Sequence, residues 1–448
     1  MKKLFYSLFI LVILLPCETF GQKSSIYNNE SYYDWEVSCM IRKDKFKFIL
    51  PKAMRQNDVD MWIIIDKGRG TEPLFQDLGA PTSNGNGLFI FTDRGNIGIE
   101  KVLFGGETEM SEACGAYDII GYQGTLREFV SKRNPKRIGV NMSSAKELMP
   151  MEGRHLADGI SHIDYINLKN ELGEPYASRL VSAEGVIADF RGERVASEII
   201  EFSKIADVTR KLEERALSNE VITPGKTTIN DMQWWMENQR KAKGLKRGWF
   251  PTVYISDPSN VEISRAAYVI QRGDIVQIDW GIGRNNFFTD IKRFAYVLKE
   301  GEKDVPEYVN NAFFEAMKIR NLIQSNVTSG KTGREQLDNL KRLVNEAGYV
   351  YTESERPGKS KGIEVNIGMH GAGNLGHEIG ASIFEVYPIR TTYTVPQNTI
   401  ISVEYIVFTP AKEWGGNKIP VNIEENALIT DHGIEWLYPP QNKVLIIR

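Results

Sequence analysis

From residue 35 to about 185 short apolar runs alternate with polar stretches of helical spacing. Met61-Trp62-Ile63-Ile64-Ile65, Leu88-Phe89-Ile90-Phe91 and Arg137-Ile138-Gly139-Val140 after Pro135 predict β-strands, and the stretches between them predict helices, which makes residues 22–190 an α/β domain. Near residue 192 the pattern changes. Val195, Ile199, Phe202, Ile205, Val208 and Leu212 recur at helical spacing across 193–219, the opening helix of a second domain, 191–448. That domain contains a weak repeat: Thr223-Pro224-Gly225-Lys226-Thr227 returns as Thr328-Ser329-Gly330-Lys331-Thr332, and each copy opens a helical stretch, 228–243 or 333–347. Two related halves with helices outside and sheet inside place a cleft at their pseudo-symmetric centre.

The first residues belong to another class of signal. Lys2 and Lys3 precede an uncharged run from Leu4 to Leu15, too short for a membrane span, which takes roughly 20 apolar residues. This is a secretory leader, with Thr19 and Gly21 as the small residues of a cleavage after Gly21, and it predicts a secreted or periplasmic protein without a stable membrane span. Cys17 follows Pro16 rather than the small residue of a lipid-attachment box, so lipidation is the weaker reading. Cys39 and Cys114 then remain, enough for one disulfide in an oxidising compartment but not requiring it.

Composition narrows the class. With 55 Lys and Arg against 58 Asp and Glu, a net charge of −3 and no concentrated basic patch, nucleic-acid binding is excluded as the chain's business. Asn84-Gly85-Asn86-Gly87 lies in a turn before a strand and not in the strand-to-helix turn of a dinucleotide site. The two Gly-Lys-Thr triplets lack the glycine five residues upstream that a phosphate-binding loop needs, Glu220 and Ser325 standing there instead. Both are helix-entry turns.

Chemistry concentrates where strand residues would otherwise be apolar. Asp274–Gly281 and Thr289–Val297 around Gly283-Arg284-Asn285-Asn286 predict a β-hairpin with Asp279 and Asp290 facing each other near its closed end. Like charges lodged together are costly unless a cation lies between them. Asn374-Leu375-Gly376-His377-Glu378-Ile379-Gly380 predicts a glycine-rich turn bearing an imidazole, and Ile401-Ser402-Val403-Glu404 and Ile423-Glu424-Glu425-Asn426 embed carboxylates in β-rich runs. Acids buried there without partners would cost several kcal/mol each. Four carboxylates and one neutral histidine carry −4, which two divalent ions cancel, and oxygen-rich ligation with one imidazole suits Mn, Fe, Co or Zn.

The order Asp, Asp, His, Glu, Glu, in the segments Ile-Asp-Trp-Gly, Asp-Ile-Lys-Arg, Gly-His-Glu-Ile-Gly and Ile-Glu-Glu-Asn, resembles the pita-bread metallopeptidases: methionine aminopeptidases, aminopeptidase P and prolidase. The likeness spans about residues 190–435, and the N-terminal α/β domain resembles the creatinase-type domain of the Xaa-Pro branch. The resemblance implies a pita-bread α+β fold and a secreted or periplasmic exopeptidase, aminopeptidase or dipeptidase, acting on small peptides with proline in second place. It also implies two divalent ions, manganese first among Mn, Co, Zn and Fe, and a homodimer. Asp279 would hold one ion, His377 and Glu404 the other, with Asp290 and Glu424 bridging, and Glu404 would be general base to a bridging water.

The chain also departs from that family. No histidine stands between Phe250 and Asp274, Phe384 occupies the position seven after His377 where the family carries another histidine, and Asn422 stands where an arginine is common. His370 is the replacement candidate for the proton shuttle, while His155, His162 and His432 read as surface or packing residues. These departures keep a second reading open, a catalytically weakened or inactive pita-bread binding protein. A metal-free creatinase-like hydrolase is a more distant one, because that branch lacks the five ligands.

Overall fold

The computed structural model describes residues 30–448 apart from 67–73, 80–86, 106–108, 144–158, 259 and 374–375. The segment expected to be a leader, with Cys17, the turn residues Asn84, Gly85 and Asn86, and His155 lie outside the described residues. His162 and His432 are on the surface.

The apolar runs of the first part form a six-stranded mixed sheet from Met61–Asp66, Gly87–Asp93, Ile99–Phe104, Ile119–Ile120, Ile138–Val140 and Leu180–Ser182. Its central strand is apolar at successive positions because both faces are covered. Trp62 and Ile64 pack with helices Glu30–Phe48, Leu50–Gln56 and Glu184–Gly192, whereas Met61 and Ile63 pack with Leu126–Arg133 and His162–Leu172. Cys39 and Cys114 form a disulfide between the first helix and the end of helix Glu109–Cys114.

Among the described residues the second part is a 15-stranded, curled sheet with four long helices packed on it. Ala196–Ala216 and Ile229–Ala242 share a core with Val276, Ile278, Trp280 and Ala295, and Glu307–Asn326 and Gly333–Glu346 share another with Val403, Tyr405, Val407 and Ile423. The two repeat copies are equivalent in shape. Gly225 and Gly330 both turn at positive φ (76° and 85°), and a threonine then caps each following helix in a capping box, Thr228 with Asp231 and Thr332 with Glu335. The first cap falls one residue later than the repeat predicts.

The hairpin is longer and more broken than its sequence pattern suggests. Ile275–Trp280 pairs with Ile291–Val297, then Ile282–Arg284 pairs with Phe287–Phe288, and the turn itself is Asn285-Asn286 with Asn285 at φ 54°. Asp279 and Asp290 therefore sit at the kink between these two parts, not at the closed end. Gly281 stands at the kink, where no side chain fits: a Cβ there would meet the Trp249 ring at 2.2 Å and the Thr289 carbonyl oxygen at 2.3 Å. The tip beyond it docks on the N-terminal elements through Arg284 with Asp34 (2.7 Å) and Asn286 with Asp77 (3.0 Å).

Candidate metal centre

Strand register builds the site. Asp279 lies directly opposite Lys292, Lys292 opposite Glu424, and Glu424 opposite Glu404. These four residues form one transverse row across four adjacent strands. Directly opposed residues share a sheet face, so the row is three carboxylates with a lysine between the first and second. Asp290, two residues before Lys292, shares its face one step along the strand. The expectation that Asp279 and Asp290 face each other is corrected here: the residue facing Asp279 is a lysine.

His370 and His377 come from paired strands, Met369–Gly373 and Gly376–Ile383, rather than from a loop and a turn. Glycine disfavours strands in general, but these strands lie deep in a sheet where small residues let the two rings stack, 3.9 Å between centroids. The Nε2 of His370 lies 3.3 Å from Glu424, 3.5 Å from Glu404 and 3.8 Å from Asp290, and the Nε2 of His377 lies 3.5 Å from Asp290. Asp279, Glu404 and His377 keep 25, 21 and 35% of their side chains exposed, against at most 4% for Asp290, Glu424 and His370. The first three form the mouth and the others the floor, so a water or a peptide reaches Glu404 before it reaches Glu424.

Neighbours fix these groups. Ser402 donates to Glu424 (2.6 Å) and to the Asp290 carbonyl, and the Asp290 N–H donates to Asn426. Tyr387 hydroxyl lies 3.1 Å from the Nδ1 of His377, and the Gly371 carbonyl lies 3.2 Å from the Nδ1 of His370, so both rings turn Nε2 inward. Residues adjacent in sequence to the site point the other way, as strand alternation requires. Glu425 pairs with Arg293 at 3.0 Å, and Glu378 pairs with Arg191 (3.3 Å) and Arg194 (3.2 Å), which tie the His377 strand to the segment joining the two sheets.

The electrostatics follow from crowding. Burial raises Asp279 to a pKa of about 6 against the pull of Lys292, and burial together with Glu424 and Asp279 lifts Asp290 well above the carboxylate range. Burial would raise Glu424 too, but Lys292 and His370 hold it below that range. Burial opposes a charge on His370, yet the Glu404 and Glu424 carboxylates overcome this and lift it to about 9, while charged His370 and burial push His377 down to about 2.

The donor set fits a divalent ion. The buried Nε2 of His370 makes no hydrogen bond although three carboxylates stand 3.3–3.8 Å away, a spacing close to that between neighbouring ligands around one ion bound at roughly 2.1 Å. Among the described residues three trios can hold an ion: Asp290, His370 and His377; His370, Glu404 and Glu424; Asp279, Asp290 and Glu424. The structure thus brings together all six residues named from sequence, Asp279, Asp290, His370, His377, Glu404 and Glu424. It adds Lys292, Tyr387, Ser402 and Asn426, which sequence reasoning missed. Lys292, Ser402 and Asn426 left a readable trace, since each lies two positions from a site acid (Asp290, Glu404 and Glu424) and must share its face in a strand, whereas Tyr387 left none. Phe384 packs edge-on against Tyr387, 5.7 Å between centroids, and Asn422 gives its backbone N–H to Gln277.

Residues 201–431 match the model of metallopeptidase family M24. The Xaa-Pro dipeptidase of Pyrococcus furiosus is 26% identical over 294 residues, covering 63% of this chain and 73% of that protein. Among solved structures, X-Pro aminopeptidase from Thermotoga maritima MSB8 superposes with a TM-score of 0.60 at 15% identity, covering 88% of this chain and 99% of that one. Prolidase from P. furiosus gives 0.53 at 19%, covering 88% and 99%. These likenesses bear out the pita-bread fold.

Proposed function

Because the chain belongs to metallopeptidase family M24, we propose that it cleaves the bond after the N-terminal residue of small peptides with proline in second place, as an Xaa-Pro aminopeptidase or dipeptidase. The observation that carries this reading is the transverse row of acids with Glu404 at the mouth and His370 and His377 beside it. A divalent ion, manganese first among Mn, Co, Zn and Fe, supplies Lewis acidity to polarise the scissile carbonyl and acidify a water. Asp290, His370 and His377 would hold the ion, with Glu424 alongside. Glu404, reachable from solvent and held in place by Lys292, takes the proton from the attacking water. The departing amine needs a proton that Phe384 cannot give, and fully buried His370 has no surface from which to give it, so Glu404 returns the one it took. His370 is therefore a ligand in this reading and not a shuttle.

The expectation of a secreted or periplasmic protein rests on the charged-then-apolar pattern of Lys2 to Leu15 and agrees with the Cys39–Cys114 disulfide, and the homodimer is proposed on the resemblance alone. Phe384 and the ion-paired Lys292 favour the second reading, a weakened or inactive peptide-binding protein. A panel of Xaa-Pro and Xaa-Ala peptides, offered to metal-stripped protein with and without Mn, Co or Zn, tests both. Metal-restored release of the first residue from Xaa-Pro peptides is expected. Tight binding without turnover under every metal would leave the binding protein standing.

A further inference from the structure

We propose that the Lys292 ammonium permanently takes the place of one of the two ions that the family likeness implies, leaving a centre for a single divalent ion on Asp290, His370 and His377. The inference rests on the metallopeptidase reading of the same site. A lysine in a strand is ordinarily a solvated side chain, but this one is 6% exposed and its Nζ is enclosed by Glu424 at 2.5 Å, Asp279 at 3.4 Å and Glu404. The register holds it there, because Lys292 is the residue directly opposite both Asp279 and Glu424. An ion ligated by Asp279, Asp290 and Glu424 would need those oxygens at about 2.0–2.2 Å. Glu424 Oε2 and Asp279 Oδ2 already bind Nζ, so ion and ammonium would compete for one space, and a divalent charge beside an ammonium in a poorly solvated site is repelled. The trio of His370, Glu404 and Glu424 likewise shares two carboxylates with the lysine.

The remaining trio differs. Lys292 makes no ion pair with Asp290, and both imidazoles of the trio turn Nε2 toward the cluster, each with Nδ1 beside an oxygen of Gly371 or Tyr387. A tethered cation also supplies part of the charge compensation whether or not metal is present. The metal-free centre then keeps a counter-charge among its acids that a two-ion centre would lose entirely on chelation.

The test counts ions. Wild-type protein and Lys292→Thr, which opens the space and removes the charge, are stripped, loaded with Mn²⁺, desalted and assayed by elemental analysis. Thermal unfolding is followed with chelator and with Mn²⁺. One ion per chain in wild type and two in Lys292→Thr is expected, with a larger gain in melting temperature from Mn²⁺ for the variant. Two ions in wild type, or equal counts in the two proteins, overturns the proposal. If Lys292→Thr does not fold, Lys292→Met keeps the bulk of the stem without the charge. It should be destabilised relative to wild type in chelator and rescued by Mn²⁺, and a variant as stable as wild type in chelator overturns the proposal. Two ions with full Xaa-Pro cleavage would sink the lysine assignment alone, whereas no ion in any protein and no cleavage would sink the metallopeptidase reading with it.

Discussion

Glu404 and Glu424 face each other across one strand pair, and the difference between them is access to solvent. That difference assigns the base to Glu404, because a proton taken from an attacking water must return to the departing amine at the same open side. Glu404→Gln keeps a ligating oxygen but cannot accept the proton. Turnover of an Xaa-Pro peptide should fall roughly 100-fold or more with bound metal nearly unchanged, and equal activity at saturating metal would remove the base role. Tyr387 acts one contact further out. Its hydroxyl orients His377 through Nδ1, so Tyr387→Phe should weaken metal affinity by about 10-fold in a competition titration while leaving the melting temperature of stripped protein unchanged.

At the scale of elements, alternation along single strands decides which charged residues serve the site and which serve the sheet. Lys292 and Glu424 point to the acid row, and their neighbours Arg293 and Glu425 point to the other face, where they form a fully buried ion pair. The Gln441 N–H also donates to Glu425 at 2.7 Å. Arg293→Met leaves Glu425 buried without its counter-charge and should cost about 3–5 kcal/mol in denaturant unfolding, and adding Glu425→Met should return most of that loss. An undiminished loss in the double variant would place the cost in packing instead. Much of this scale could be read from the chain itself. The acids in β-rich runs, the helix-entry threonines and the apolar strand cores at Met61–Ile65 and Leu88–Phe91 carry local signals of period and cap, and they lie where those signals point, apart from the first helix cap, which is Thr228 and not Thr227. The register between strands carries no such signal, because Asp279 and Glu424 meet only through Lys292 and are far apart in sequence. The aspartate-to-aspartate facing expected of the hairpin fails for a more local reason: the pairing is interrupted at Gly281, so Asp279 opposes Lys292 and not Asp290. The strands of His370 and His377 were hidden by their glycines, whose low β-propensity is overridden by packing inside a large sheet.

Over the whole molecule, the two sheets are joined by charge as well as by one apolar core, in which Trp62, Ile64 and Phe91 of the first sheet share a cluster with Ile291, Ala372 and Ile400 of the second. Arg191 pairs with both Asp77 and Glu378, Lys45 with Glu198, and the hairpin tip with Asp34 and Asp77. The Cys39–Cys114 disulfide braces the helix that carries Lys45 and Arg42, across a sequence separation of 75. Cys39→Ser should lower stability by about 2–4 kcal/mol under non-oxidising and oxidising buffers alike, whereas wild type should lose a comparable amount only when reduced. Equal stability of wild type with and without reductant would show that the bond does not constrain the chain. Glu378 ties this framework to the centre, being the neighbour of His377 in the strand that the arginines hold.

The central claim is a single-ion centre with a lysine in the second position, and an anomalous difference map at the manganese edge from a metal-loaded crystal tests it most directly. The account predicts one peak per chain, about 2.0–2.2 Å from an Asp290 oxygen and from the Nε2 atoms of His370 and His377, with the Lys292 ammonium still between Asp279, Glu404 and Glu424. Two peaks with Lys292 swung out of the carboxylates, or no peak at the histidines, would contradict it.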